Sequence, residues 1–461
     1  MDARTLAHRT FDLGVAGELT TQALIHQYPG KRALFRARLD GRDVVAKFYL
    51  LPLRTAWEWW RGARGARALQ AVGVPSPAVR FAGFERGCRC WLTVVDWIEA
   101  DIPWPPARNP LPHATHELLL RTLAAHHEAG VVQSDLNWAN FIPRDGVLHS
   151  IDGDRVRRTR APLPWRRARG NLLRLYGSKT HFDEDEIHWG WTRYCALRGI
   201  TISDDDAWTF VAAVQFRRRQ VAESVAYRKL QGWKHFVRER RNGHLVVADG
   251  QRLSDADRAR AAELPVPPGG KGETEARRVE PDAMGDEPVL IQPHSASAAP
   301  SPAAWRRAPT PTRAWIRAAT AARLRLPVER PVGMVETRVS LLERQGHLIS
   351  VQRAQVSLRE AIESGNANVE QVLTLLRSLI KRLETARINH HALTLDRLGW
   401  DGSAVILLDA GGLQLLPRWR YLLGHTTRVD TAALVRELAA VTGREERVVA
   451  EQLSGQRPPR T

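Results

Sequence analysis

The chain has 461 residues and a mass of 51.8 kDa, with 43% hydrophobic and 26% charged residues. These ordinary globular values exclude a collagen, a coiled coil or a wholly disordered chain, and the length points to two or three domains. Lys and Arg number 68 against 50 Asp and Glu, a formal charge of +18 that calls for anionic partners: nucleic acid, an anionic membrane surface or an acidic substrate.

In chain order, Leu34–Leu39 alternates, Asp40-Gly41 is a hairpin signal and Arg42–Leu50 is β-rich, so two strands are predicted over 31–50. Ala56–Val72 is predicted as a helix, closed by Gly73, Pro75 and Pro77. Strands follow at Val79–Phe84 and Cys90–Trp97 around Glu85-Arg86-Gly87. A helix over 115–129 carries Leu118, Leu119, Leu123 and Ala125, and a loop with a short hairpin runs from Val131 to Ile151. Helical, basic material is expected to about residue 240. Residues 266–313, rich in Pro, Gly, Ser and Ala, read as a linker or eroded structure. Beyond them come a helix over 314–326, two strands within 332–351, a helix Val369–Ala386, a loop and a strand Val405–Leu408. The second half thus repeats the first: helix, strand pair, helix, loop, strand.

No apolar run of about 18 residues predicts a spanning helix, and Met1–Arg4 opens no signal core. Cys88, Cys90 and Cys195 cannot form a disulfide framework, and C-x-C is not the usual zinc spacing, so a reducing cytoplasm is expected.

The segment that carries chemistry is His127–Phe141, followed by Ile151-Asp152-Gly153-Asp154. Its core is D-L-x-x-x-N from Asp135 to Asn140, and Asp152 ends an apolar strand twelve residues later. Phosphoryl transfer needs a carboxylate to accept the proton of an attacking hydroxyl. It also needs an amide oxygen and a second carboxylate to hold Mg²⁺ on the ATP phosphates. Asp135 is then the base, and Asn140 and Asp152 are the metal ligands. Upstream, Val44-Val45-Ala46-Lys47 fits a strand whose lysine holds the α- and β-phosphates.

These residues resemble the bacterial lipopolysaccharide core kinases that phosphorylate Kdo or heptose, the InaA-type group. The resemblance rests on Val45-Ala46-Lys47, Leu69–Pro77, His127–Phe141 and Ile151–Arg155, and it covers about the first half of the chain. It implies a protein-kinase-like fold. It further implies ATP-dependent transfer to a sugar hydroxyl of the inner core, at the cytoplasmic face of the inner membrane. Ser134 stands where protein kinases have Arg, and Gly153 is the middle of the D-F-G position. The phosphate loop Tyr28–Arg32 has one glycine, so Lys31 or Arg32 is expected to take over part of the phosphate cradle. Glu58, the only acidic residue of Ala56–Val72, is the candidate partner of Lys47, although Arg64 sits nearer the expected place. Asp154, Arg155 and Arg157 are candidate acceptor contacts. Arg158, Arg160, Arg166, Arg167, Arg169 and Trp165 extend that basic run, and Arg54, Trp57, Trp59, Trp60, Arg61, Arg64 and Arg67 form a second cluster. Both suit anionic sugars, lipid phosphates and a peripheral membrane contact. No nucleic-acid motif is present.

Gly130–Phe141 lies over Arg387–Leu398 without a gap. Ala392 then falls at the place of Asp135, Arg397 at Asn140 and Asp409 at Asp152. Pro288–Gln292 resembles the lysine strand with Gln292 at the place of Lys47, and Leu324–Pro331 resembles the junction Leu69–Pro77. Alanine cannot act as a base, and Arg397 would repel Mg²⁺. Asp396, His390 and His391 are expected to be incidental.

The expectation is therefore an α+β, protein-kinase-like two-lobed fold in tandem. A catalytic domain over 1–225 precedes a degenerate one over 226–461, whose segment 226–313 is an eroded small lobe or linker. The function expected is a core-sugar kinase using ATP and Mg²⁺. A kinase-like phosphotransferase with another small-molecule or protein acceptor, or a nucleotide-binding scaffold in envelope assembly, remain the alternatives.

Overall fold

The computed structural model describes residues 3–102, 112–159, 162–178, 182–265, 277–279, 287–296, 310–340, 343–390, 393–408, 412–415 and 429–454. It is a mixed α+β structure that divides into two compact units, Met1–Val214 and Gln215–Thr461. No helix of the described residues is long and apolar enough to cross a membrane. Arg160, His391, Ala392, Asp409 and most of 266–313 lie outside the described residues.

The first unit opens with a six-stranded antiparallel sheet. Its strands are β1 (Thr10–Asp12), β2 (Glu18–Tyr28), β3 (Arg32–Leu39), β4 (Arg42–Tyr49), β5 (Val79–Glu85) and β6 (Cys90–Asp96), in the order β1-β2-β3-β4-β6-β5. Strands β3 and β4 alternate buried and solvated residues, as a sheet with one covered face requires. Asp40 and Gly41 both take positive φ, 47° and 80°, the backbone a two-residue hairpin needs. Phe35, Phe48, Leu92 and Val94 fill the core beneath, together with Cys88 and Cys90. Strand β2 was not foreseen.

Helix α1 (Pro52–Gln70) connects β4 to β5, with Pro52 preorganising its first turn. Below the sheet come α2 (His113–Glu128), β7 (Val131–Gln133), the hairpin β8 (Phe141–Arg144) and β9 (Val147–Ser150), and β10 (Val156–Arg158). Then follow α3 (Trp165–Ser178), α4 (Glu184–Leu197) and α5 (Asp204–Leu230). Leu120, Phe141, Leu172, Trp191 and Phe210 belong to the core of this helical part. Helix α4 begins with a capping box between Asp183 and Glu186.

The second unit also has a six-stranded sheet, β11 (Phe236–Arg241), β12 (His244–Asp249), β13 (Arg277–Val279), β14 (Val289–Ala296), β15 (Arg330–Arg338) and β16 (Arg344–Val351). Its order is β11-β12-β15-β16-β14-β13. Segment 226–313 thus supplies four of the strands. Helical material ends before residue 240, because Asn242 (φ 49°) and Gly243 (φ 83°) turn a hairpin. The alternation in β11 is of Arg and Glu, so no apolar period announced it. A helix, Pro311–Arg323, lies between β14 and β15, as α1 lies between β4 and β5. The order β13-β14-β16-β15 accordingly has the same connectivity as β3-β4-β6-β5.

The helix Val369–Thr385 is followed by β17 (Ile388–His390), a 3₁₀ turn Leu395–Arg397, β18 (Leu398–Trp400) and β19 (Val405–Leu407). Some local backbone features coincide at positions the gapless overlay pairs. Gly130 and Arg387 both have positive φ, 71° and 57°. Ile151 N donates to Asn140 O at 3.0 Å, and Leu408 N donates to Arg397 O at 2.9 Å. Ser150 N donates to Pro75 O at 2.9 Å, and Leu407 N donates to Pro327 O at 2.7 Å.

Candidate active site

The site of the first unit is a cleft of about 530 Å³. Strand β4 brings Lys47 to one wall, and the loops after β7 and β9 bring Asn140 and Asp152 to the other. Lys47 Nζ lies 3.3 Å from Asp152 Oδ1 and 3.2 Å from Asp154 Oδ1. Arg32 donates to Asp154 Oδ2 at 2.6 Å, and its guanidinium lies over the Tyr28 ring at 4.7 Å. Asp154 N donates to Asp152 Oδ1 at 3.2 Å, which holds the two carboxylates in one turn.

Burial opposes the charge on Lys47, but the carboxylates of Asp152 and Asp154 beside it favour that charge, and the pKa of the ammonium is raised. Tyr49 is pushed up to about 12, chiefly by burial, and stays a neutral phenol. Lys47 is therefore a fixed cation at the foot of an otherwise largely apolar cleft, as a phosphate anchor must be.

Two expectations need correction. Asp154 was assigned to the acceptor, yet it is 6% exposed and ion-paired to both Lys47 and Arg32. It lies on the Lys47 and Arg32 side of the cleft. Glu58 was the candidate partner of Lys47, but the carboxylates that reach Lys47 come from Asp152 and Asp154. Toward the site Glu58 exerts only the weakest of the electrostatic influences on Arg32. The reason lies in α1, which carries Gly62 and Gly65 on the face that meets the Asp152–Asp154 turn. A Cβ on Gly62 would stand 2.3 Å from Asp154 Oδ1, and one on Gly65 would stand 2.0 Å from the Gly153 carbonyl oxygen. The helix approaches so closely that the turn itself delivers the carboxylate. Two small residues spaced i, i+3 on a helix were the available signal.

Of the remaining candidates, Arg32 lines the cleft, whereas Lys31 is exposed at the β2–β3 turn. Asp135 is exposed in the loop after β7, and Asn140 Nδ2 donates to its carbonyl at 2.9 Å. That bond leaves the Asn140 amide oxygen as the atom available to a cation. Arg155 and Arg157 are exposed, and the Arg155 carbonyl accepts from Ser134 N and Oγ at 3.0 and 3.1 Å. Ser134 thus ties the backbone of Arg155 to the Asp135 loop. The α1 cluster divides: Trp59 stacks on Trp91 and donates to Leu92 O, while Trp57 and Trp60 stack on each other in solvent.

Behind the Asp135 loop lies a buried polar network that the sequence reading did not identify. His127 Nε2 donates to Asn171 Oδ1 at 3.0 Å, and its Nδ1 accepts from Tyr194 OH at 2.6 Å. Asn171 Nδ2 in turn donates to Gln133 O at 2.9 Å, fixing the strand that precedes Ser134. His126 lies 3.3 Å from Ser150 Oγ. Burial pushes His126 down to about 3 and His127 down to about 4, the latter against the hydrogen bond to Asn171. The unfolded chain takes up both protons near pH 6.5, and the folded chain does not. Stability is therefore full above that pH and falls as pH drops from 6.5 towards 4. Each histidine contributes about 1.4 kcal/mol per pH unit. His127→Gln is expected to flatten the dependence of the urea midpoint on pH in that interval; a slope equal to that of the native chain would disprove the assignment.

The residues present fit ATP with Mg²⁺. Val45, Val95, Ile142 and Ile151 line the cleft with apolar surface for a base. Lys47 supplies a phosphate cation, and Asn140 with Asp152 supplies an oxygen pair. Mg²⁺ is ordinarily held by one or two carboxylates together with substrate phosphates, so a fuller protein cage is not required.

No protein-family model and no curated protein matches the chain. Among solved structures it is similar to WaaP in complex with acyl carrier protein, at 20% identity and a TM-score of 0.30, over 41% of this chain and 86% of that one. It is similar to a proposed aminoglycoside phosphotransferase from Ralstonia eutropha, at 15% identity and 0.32, over 50% and 88%. It is also similar to vaccinia related kinase 3, at 9% and 0.25, over 33% and 52%. Likenesses of this extent carry no inference about activity, which must rest on the site.

Proposed function

We propose that the first unit is an ATP- and Mg²⁺-dependent phosphotransferase acting on an alcohol group. Its acceptor, on this reading, is a Kdo or heptose hydroxyl of the lipopolysaccharide inner core, met at the cytoplasmic face of the inner membrane. The observation that carries the chemistry is the meeting of Lys47 with Asp152 at 3.3 Å, across 105 residues of chain, in a cleft that Asn140 also lines. Lys47 binds and orients phosphate oxygens. Asn140 and Asp152 would hold Mg²⁺, which when bound neutralises charge on the transferred group. Asp135, exposed to an incoming hydroxyl, accepts its proton. Arg155 and Arg157 suit an anionic acceptor, and the Leu69–Pro77 and Ile151–Arg155 motifs favour the core sugars.

The second unit is read as a degenerate repeat of the same fold. Its strand connectivity and the matched backbone bonds around Arg397 and Leu408 support this. Gln292 stands on β14 and donates to Leu408 O at 2.7 Å, as Lys47 on β4 reaches the turn after Ile151. A neutral amide there binds the chain's own backbone instead of a phosphate. Asp396 is ion-paired to Arg359 at 2.9 Å, which removes it as a stand-in ligand.

The test is phosphate transfer from labelled ATP with Mg²⁺ to delipidated core saccharides. Labelled saccharide is expected. Label found only on another small molecule or protein would replace the acceptor, and nucleotide binding without transfer to any acceptor, membrane-embedded core included, would favour a scaffold.

A further inference from the structure

The second unit contains a cavity of about 420 Å³ whose lining does not include Gln292. The end of α5, the β11–β12 hairpin, the C-terminal end of the helix Pro311–Arg323 and the start of β15 form its walls. Lys229, Arg323, Arg325 and Arg330 line it, and Asp249 is the only carboxylate among its lining residues.

That carboxylate is already engaged. Asp249 Oδ2 lies 3.3 Å from His235 Nε2, and its Oδ1 accepts from Gln251 N at 3.1 Å. Among the described residues none of the four cations makes a salt bridge; Lys229 is partly buried, and Arg323, Arg325 and Arg330 are exposed. Lys229 is half-buried, its Nζ 4.5 Å from the Phe236 ring centroid. Its pKa is lowered, first by burial and then by Arg323, Arg330 and Lys234, against the attraction of Asp249. The backbone of Arg325 is fixed at positive φ, 59°, with its carbonyl bonded to Arg382. Four like charges converging on one concave surface repel each other, and an anion between them turns that repulsion into attraction.

We propose that this cavity is a binding site for a small phosphorylated molecule carrying at least two negative charges, held by Lys229, Arg323, Arg325 and Arg330. His235, oriented by Asp249, adds a hydrogen bond to a phosphate or hydroxyl oxygen. The site is distinct from the cleft of Lys47 and independent of the activity proposed for it.

The probe is inorganic pyrophosphate, titrated calorimetrically into the full chain against sodium chloride of equal ionic strength. Three proteins are compared: the native chain, Lys47→Met, and the double variant Arg323→Ala/Arg330→Ala. Binding is expected to persist in Lys47→Met and to weaken about tenfold to a hundredfold in the double variant, the loss of one or two charge-assisted hydrogen bonds. Arg330→Gln, a milder change at an exposed strand position, is expected to weaken it in the same direction should the double variant fail to fold. No pyrophosphate binding in the native chain overturns the proposal. So does binding lost in Lys47→Met, or unchanged affinity in the Arg323 and Arg330 variants.

Discussion

Asp135→Ala is expected to lower phosphate transfer by about 10³-fold, the scale of a positioned general base. The substitution removes the group that takes the proton from the acceptor hydroxyl and leaves Lys47, Asn140 and Asp152 in place. Asp135 is exposed, and the bond that shapes its loop runs from Asn140 Nδ2 to its backbone carbonyl. That bond survives truncation of the side chain. Stability should therefore stay within about 0.5 kcal/mol of native, as for surface substitutions in general. The expected signature is a fall in kcat with nucleotide affinity and urea midpoint unchanged. Full transfer activity in this variant would remove Asp135 as the base and, with it, the phosphotransferase reading of this loop.

Gly65→Ala should impair the protein by a different route. The added methyl carbon would lie 2.0 Å from the Gly153 carbonyl oxygen and 2.8 Å from its carbon, both backbone atoms that cannot rotate away. Either α1 withdraws or the Asp152–Asp154 turn moves. Overpacking of this kind costs about 1–3 kcal/mol. A shift of about 1 Å in the turn would also separate Asp152 from Lys47 and lower transfer by roughly 10²-fold. Gly170→Ala supplies the contrast. Gly170 lies within α3, and a Cβ there meets nothing within 4 Å. That exchange is expected to stabilise the first unit by about 0.5–1 kcal/mol through helix propensity alone. Urea denaturation and initial rates of both variants test the pair. A Gly65→Ala protein as stable and as active as the native chain would show that α1 does not set the position of the turn.

The sequence by itself determined the elements that local chemistry dictates. The alternation of Leu34–Leu39, the Asp40-Gly41 turn and the run to Lys47 specify a strand pair, because a half-buried strand has period two and a tight hairpin needs positive φ. The spacing from Asp135 singled out Asn140 and Asp152, which both line the cleft, because a short loop ending a strand brings such groups together. The gapless overlay of Gly130–Phe141 on Arg387–Leu398 was visible for the same reason, and the bonds Ile151 N to Asn140 O and Leu408 N to Arg397 O fall at positions it pairs. The hairpin at Asn242-Gly243 was also written locally, yet it went unread, because the alternation of β11 is in charge rather than apolarity.

Only the tertiary structure decided which carboxylate meets Lys47. Helix propensity places Glu58 on α1 but says nothing of how near the helix comes to the turn at Asp152. Gly62 and Gly65 admit that turn to within backbone contact, so Asp154 occupies the place a helix glutamate would have taken. The joining of His127 to Asn171 and Tyr194, and the gathering of Lys229, Arg323, Arg325 and Arg330 around one cavity, are likewise products of packing. Each joins residues tens of positions apart, and such contacts arise only when side chains from different elements are brought together by packing.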